Sequence, residues 1–261
     1  MEIRANVYSP LQNTAVWLGA WLYELVPTED VIDAFVDLGG PHTFGDGGLL
    51  DMLRTLKELT STLIDAPFHG PILTLALSGP GQVPALPAGS RAAVLASASK
   101  EGALVLGGVD KQHSWALIPT RGKDATEWNL VEVEGFLPAI ATVSPGEADQ
   151  LLRQATDQAA NIIESSGYAS LAPKSLKNPR LTVGMLSDFY DTPGLPYAVP
   201  ERSAKLFARA DRVAAIAETV QETIGDHSLD PQLISLWSHI RTARMAGVSY
   251  ALAEFARDYH S

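Results

Sequence analysis

Metal and acid–base chemistry would have to start from the histidines, His42, His69, His113, His227, His239 and His260. No two lie within about ten residues of each other, so neither H-x-x-x-H nor H-E-x-x-H can form on one helix face. His42 with Asp46 is the nearest approach to a metal fragment, and two ligands fall short of the three that a catalytic zinc takes from protein. A turn is the ordinary reading of that glycine-rich stretch. Ser97-Ala98-Ser99-Lys100 matches S-x-x-K, but S-D-N and K-T-G do not occur, and the match falls at the end of its helix. G-x-S-x-G is also missing. The chain has no cysteine, which rules out thiol nucleophiles, disulfides, Fe–S clusters and cysteinyl zinc together.

Gly79-Pro80-Gly81-Gln82-Val83-Pro84 lies between an expected strand and an expected helix, where phosphate loops occur. Pro84 stands where G-x-G-x-x-G needs its third glycine, and no Lys-Ser or Lys-Thr follows. A rigid, proline-pinned connection is the better reading, with the amides of Ser90 and Arg91 as the remaining prospect for an anion. Asp33 and Asp37, one helix turn apart, and Asp188 with Asp191 read as solvating carboxylates. Trp17 and Trp21, also one turn apart, read as core or as a helix–helix contact. No catalytic residue, metal or cofactor is assigned.

Charge is distributed less evenly. Residues 1–145 hold 8 Lys and Arg against 16 Asp and Glu, a net −8, while residues 146–261 hold 11 against 14, a net −3. Seven of those 11 bases fall in two stretches. Lys174, Lys177 and Arg180 occur with no acid between Ser165 and Ser187. Arg202, Lys205, Arg209 and Arg212 are spaced by three, four and three, which aligns them on one helix face. These seven are the candidate anion- or partner-binding residues. The competing reading is a solvated face whose stems cover an apolar rim.

The elements that position these residues follow from composition and pattern. The chain has 261 residues, 46% of them hydrophobic, and a net charge of −11. That suffices for a packed core and argues against nucleic acid and anionic lipid as partners. The first apolar run, Ala15–Val26, contains Glu24 and is too short to span a membrane, and the start has neither a basic region nor a cleavage site. A cytoplasmic protein is expected.

Ser9-Pro10 opens a helix to Leu25 or Val26, with Ser9 as its cap. A second begins at Thr28 as cap, with Glu29 and Asp30 in its first turn, and ends at Gly39-Gly40-Pro41. A glycine-rich loop leads to a third over Leu49–Ile64. Ile72–Leu77 and Ala103–Val109 read as buried strands around a helix Arg91–Lys100 capped by Ser90, a βαβ length that predicts a parallel pair. Ser114–Pro119 and Glu127–Glu134 follow as antiparallel strands. Helices are expected over Glu147–Ser165, Ser203–Ile224 and from Asp230 to about Asp258. The segment Ser166–Arg202, rich in proline yet apolar, is expected to wrap on the surface.

Several of these motifs occur together. Gly79-Pro80-Gly81 and Leu86-Pro87-Ala88-Gly89, the following helix and strand, and Lys205-Leu206-Phe207-Ala208-Arg209-Ala210 resemble an actinobacterial family of conserved proteins of unknown function. The resemblance extends over most of the chain. It departs at Gln82, where the family loop reads Pro-Gly-Asp, so no carboxylate role carries over. The resemblance implies a cytoplasmic protein of actinobacterial origin and transfers no activity.

The expected fold is α+β: a small mixed β-sheet with N-terminal helices and a C-terminal three-helix region. The α/β part is expected over 1–145 and the helical part over 146–261, as two domains or one continuous one. The function expected first is that of a non-catalytic cytoplasmic interaction or regulatory protein. The alternative is an enzyme or binding protein for a small anionic metabolite, with its site at the C-terminal ends of the two parallel strands. A homodimer, with Trp17, Trp21 and the last helix as its apolar surface, and an acidic protein or small anionic ligand are the expected partners.

Overall fold

The computed structural model describes residues 10–64, 71–79, 81–107, 114–122, 125–138, 143–165, 194–224 and 230–261. Helix α1 (Leu11–Leu22) follows Pro10, and eleven of its twelve residues are buried, so it is a core helix rather than a surface one. Ser9, expected as its cap, lies outside the described residues. The helix ends earlier than expected because Glu24 turns left-handed (φ 57°) and the Leu25 amide donates back to the Ala20 carbonyl at 2.8 Å. Helix α2 (Thr28–Gly39) has no side-chain cap. The Thr28 hydroxyl instead accepts from Trp21 Nε1 at 3.0 Å. Helix α3 (Leu49–Ile64) buries Met52, Leu53, Leu56, Thr60 and Ile64 on one face.

Six strands form one mixed sheet: β1 (His42–Phe44), β2 (Gly47–Gly48), β3 (Leu73–Leu77), β4 (Gly102–Gly107), β5 (Ser114–Arg121) and β6 (Thr126–Glu132), in the order β2-β1-β6-β5-β4-β3. The glycine-rich loop expected between α2 and α3 thus supplies two short strands. Its β1 pairs in parallel with β6, His42 opposite Thr126.

The expected parallel pair is corrected. β3 and β4 are antiparallel, with Leu73 opposite Leu106 and Leu77 opposite Gly102. A βαβ unit needs its helix to carry the chain back along the sheet. Here the long connection after Leu77 makes the outward journey, and helix α4 (Arg91–Ser99) brings the chain back beside the strand end it left. Lys100 in the left-handed conformation (φ 63°) and Gly102 (φ 112°) make the turn into β4. A side chain at Gly102 would strike the Ala76 carbonyl. Ser90 caps α4 as expected, its Oγ accepting from the Ala93 amide at 3.2 Å.

Alternation divides the sheet. Leu73, Leu75, Leu77, Leu104, Leu106, Leu117 and Trp128 pack against α1, α2 and α3. Ala76, Ala103, Val105, Ala116 and Ile118 face the other way, under Ala92 and Ala96 of α4.

Helices α5 (Pro145–Ser165), α6 (Glu201–Ile224) and α7 (Asp230–Tyr259) complete an α+β fold of seven helices among the described residues. Their shared core holds Leu152, Leu206, Val213, Trp237 and Ile240 among many alanines. Tyr250 of α7 is half-buried and lies outside that cluster. Helix α7, 30 residues and about 45 Å long, serves both cores. Its later residues Val248, Leu252 and Phe255 belong to the core under the sheet.

Most of the expected surface segment Ser166–Arg202 lies outside the described residues. Its last part behaves as expected: Leu195, Ala198 and Val199 pack on the core. The Gly194 carbonyl accepts from Trp17 Nε1 at 3.0 Å, and the Tyr197 hydroxyl donates to the Leu25 carbonyl at 2.5 Å. No described helix is long and apolar enough to cross a membrane.

Candidate functional site

Helix α6 has neither glycine nor proline within it, and alanine fills it, the residue most favourable to helix. One face is tied down. Ser203, Leu206, Phe207, Ala210, Asp211 and Ala214 are buried, and Ser203 Oγ donates to the Gly247 carbonyl at 2.8 Å. A side chain at Gly247 would press on the Phe207 ring, so α6 and α7 touch closely there. The opposite face is exposed and carries Arg202, Lys205, Arg209, Arg212 and then Ile216.

The four bases differ in their surroundings. Lys205 Nζ lies 2.5 Å from Glu201 Oε1, and that hydrogen bond holds the Glu201 carboxyl below its ordinary pKa. Arg209 Nε lies 2.5 Å from Asp149 Oδ1 on α5. Arg153 approaches the other oxygen, with Nη2 2.5 Å from Oδ2. Arg202 and Arg212 have no ion-pair partner among the described residues. Arg153 was not singled out in the sequence, although Asp149 and Arg153 stand at the i, i+4 spacing of a helix pair. Lys174, Lys177 and Arg180 lie outside the described residues.

A second set of charges is buried between α6, α7 and the loop after β3. Arg244, 1% exposed at its side chain, donates from Nη2 to Asp211 Oδ1 at 2.8 Å. Arg241 Nε donates to Gln82 Oε1 at 3.0 Å. Burial pushes Arg241 down to about 10, which leaves it cationic at neutral pH. A side chain at Gly79 would stand 2.7 Å from Arg241 Nη1, so glycine is what admits the guanidinium. Gly79 and Gln82 bond to each other, amide to carbonyl, at 3.0 and 2.9 Å. Their amides are therefore turned inward on the loop, as in a rigid connection.

The histidine nearest to a metal fragment is half-buried, with both ring nitrogens bonded within the fold. His42 Nε2 donates to the Phe35 carbonyl at 2.6 Å, and Nδ1 accepts from Trp128 Nε1 at 2.9 Å, a tautomer fixed by these neighbours. Burial lowers its pKa. No group of three or more metal-ligating side chains occurs among the described residues. At the same end of the sheet Glu101 is buried, with Oε1 2.5 Å from Arg121 Nε. Its Oε2 has no hydrogen-bond partner among the described residues, and desolvation raises its pKa.

Of the two tryptophans expected on the dimer surface, Trp17 is half-buried. Trp21 is buried, and both indole N–H groups are bonded within the chain.

Comparison with curated proteins and with solved structures gives no match. Comparison with family models gives two: the Rv1486c-like protein, N-terminal domain, over residues 12–143, and the Rv1486c-like protein, C-terminal domain, over residues 146–245. With most of its length matched by these two models, the chain belongs to the Rv1486c-like protein family.

Proposed function

We propose that the protein is a non-catalytic cytoplasmic interaction or regulatory protein that docks an acidic partner on the exposed face of α6. The observation that supports this is the make-up of that face: Arg202, Lys205, Arg209 and Arg212 in one exposed row, on a chain of net charge −11. A row of one sign on a body of the other steers a complementary partner into one orientation. Lys174, Lys177 and Arg180 belong to the proposal by sequence alone, as does the actinobacterial origin. The alternative, an enzyme or binding protein for a small anionic metabolite, relied on a site at the C-terminal ends of two parallel strands, and β3 and β4 run antiparallel.

The direct test uses Arg202 and Arg212, which have no ion-pair partner among the described residues. An octaglutamate peptide is titrated into wild type and into Arg202→Glu, Arg212→Glu at about 20 mM salt, where screening is weak. Wild type is expected to bind, and more weakly as salt rises, while the variant loses binding and keeps its melting temperature. Equal affinity of wild type and variant overturns the proposal. A homodimer is proposed on general grounds. Sedimentation velocity at high micromolar concentration is expected to show it, and a single monomer boundary there overturns it.

A further inference from the structure

The pairing at Asp149 gives the basic face a local geometry that charge alone does not. Arg209 reaches Oδ1 from α6 and Arg153 reaches Oδ2 from the next turn of α5, each at 2.5 Å. The two guanidinium groups therefore stand on either side of one carboxylate. Asp149 is 23% exposed at its side chain, Arg209 42% and Arg153 58%, so the aspartate is the most buried of the three. Arg209 approaches Asp149 through Nε and Arg153 through Nη2, and each guanidinium carries further N–H donors beyond that contact. Each planar fork is thus held at one corner by Asp149, which restricts where its other donors can stand.

Such a pair favours a particular anion. A side-chain carboxylate brings one charge and two oxygens. A phosphoryl group brings nearly two charges and three acceptor oxygens arranged tetrahedrally, so it can accept from two guanidinium groups at once. Arg212 and Lys205 on the same exposed face add charge nearby, and Glu201 offsets only Lys205.

We propose that Arg153 and Arg209, held on opposite oxygens of Asp149, form a clamp for a phosphoserine or phosphothreonine on the acidic partner. The inference rests on the reading of the α6 face given above and sharpens it. It makes the docking conditional on phosphorylation, with Asp149 as a positioning residue.

The experiment compares an acidic peptide carrying one phosphoserine with its unphosphorylated twin, each titrated into the full chain at about 20 mM salt and pH 7.5, with arginine Nε–Hε resonances as the site readout. Wild type is expected to prefer the phosphopeptide by about tenfold, with shifts at Arg153 and Arg209. The preference shrinks as the pH falls below about 6, where the phosphoryl dianion takes up a proton and becomes a monoanion. Arg153→Gln removes the preference and keeps the weaker binding of the twin. Asp149→Asn makes the protein more positive yet lowers the preference, because the guanidinium groups lose their anchor. Melting temperatures of both variants check folding.

Equal affinity of wild type for the two peptides overturns the clamp and leaves the basic face standing. A larger preference in Asp149→Asn also overturns it, since charge rather than geometry would then decide. Inorganic phosphate, run alongside, overturns the phosphorylated partner if it binds as tightly as the phosphopeptide. If neither peptide binds wild type, the face reading falls and the clamp falls with it.

Discussion

The core under the sheet and the core of the three C-terminal helices are made differently. Beneath the sheet, large apolar side chains interlock: Leu18, Phe35, Met52, Leu104, Leu117, Leu252 and Phe255 are at most 2% exposed. Among the three helices, alanines predominate, and Asp211, Glu218, Arg241 and Arg244 are buried beside them. Small residues let helix backbones approach closely but bury less area each, and burial stabilises by about 25 cal/mol per Å2 of apolar surface. Charges inside the bundle bring another constraint. A buried ion pair is satisfied in one helix register and strongly unfavourable in others. The sheet region therefore supplies stability through area, and the bundle sets position through charge. That division suits a bundle whose outer face presents Arg202, Lys205, Arg209 and Arg212 in a fixed row.

The contrast breaks most directly at Arg244. Arg244→Leu leaves the Asp211 carboxylate buried without its 2.8 Å partner. Removing one member of such a pair costs about 3–5 kcal/mol. Urea unfolding is expected to show that loss, and Arg244→Leu, Asp211→Leu together recover a large part of it. A single variant as stable as wild type would mean that the bundle does not depend on its interior charges.

The sheet region responds to volume instead, with opposite signs on its two faces. Leu104→Ala empties the leucine face and costs about 2–5 kcal/mol. Ala116→Leu overfills the thin layer under α4 and costs about 1–3 kcal/mol. Thermal melts of the two variants check both. If Ala116→Leu is tolerated without loss, α4 is more loosely seated than Ala92 and Ala96 imply.

Much of this architecture could be read from the chain, and the exceptions have physical causes. The bounds of α3 and the Ser90 cap were legible because apolar spacing and capping chemistry are local. Strand β1 was not, since three residues carry no period and its parallel partner β6 begins 84 positions later, His42 against Thr126. The direction of β4 was misread because the length of a connection does not say which part of it travels. At the candidate site, spacing alone put Arg202, Lys205, Arg209 and Arg212 on one face, and the helix bears that alignment out. What spacing cannot show is a partner on another helix. Asp149 under Arg209, and Arg244 inside the bundle against Asp211, depend on how α5, α6 and α7 meet.

The sheet region carries charge of its own at one end, where His42 and Glu101 share the neighbourhood of Arg121. Their pH responses oppose each other. Burial, the larger cause, lowers the His42 pKa from 6.5. Its contribution to stability is full above 6.5 and is lost as the pH falls toward the lowered folded value, because the unfolded chain takes up the proton first. Glu101 is raised above 4.5, chiefly by desolvation. Its contribution is full below 4.5 and is lost as the pH rises through the raised folded value. His42→Gln is therefore expected to remove part of the loss of melting temperature below pH 6.5. Glu101→Gln is expected to gain on wild type as the pH rises above 4.5. Identical pH profiles for wild type and both variants would place the sensitivity elsewhere.

The smallest expected effect lies where the two regions are tied together. The segment before α6 is anchored to the α1–α2 turn by the Tyr197 hydroxyl on the Leu25 carbonyl, 2.5 Å, and to α1 by Trp17 on Gly194. Tyr197 is 84% exposed, so its ring adds little burial and the hydroxyl is the tie. Tyr197→Phe removes one hydrogen bond, worth about 0.5–1.5 kcal/mol net, and water can replace it at the exposed carbonyl. The informative quantity is where the loss shows. Helix α7 runs through both cores, which favours one cooperative unit, and then amide exchange in the sheet and in the bundle should quicken by the same factor. If exchange quickens in the bundle alone, residues 146–261 open as a separate unit, and the ion pairs of α6 and α7 hold that unit together without help from the leucine core.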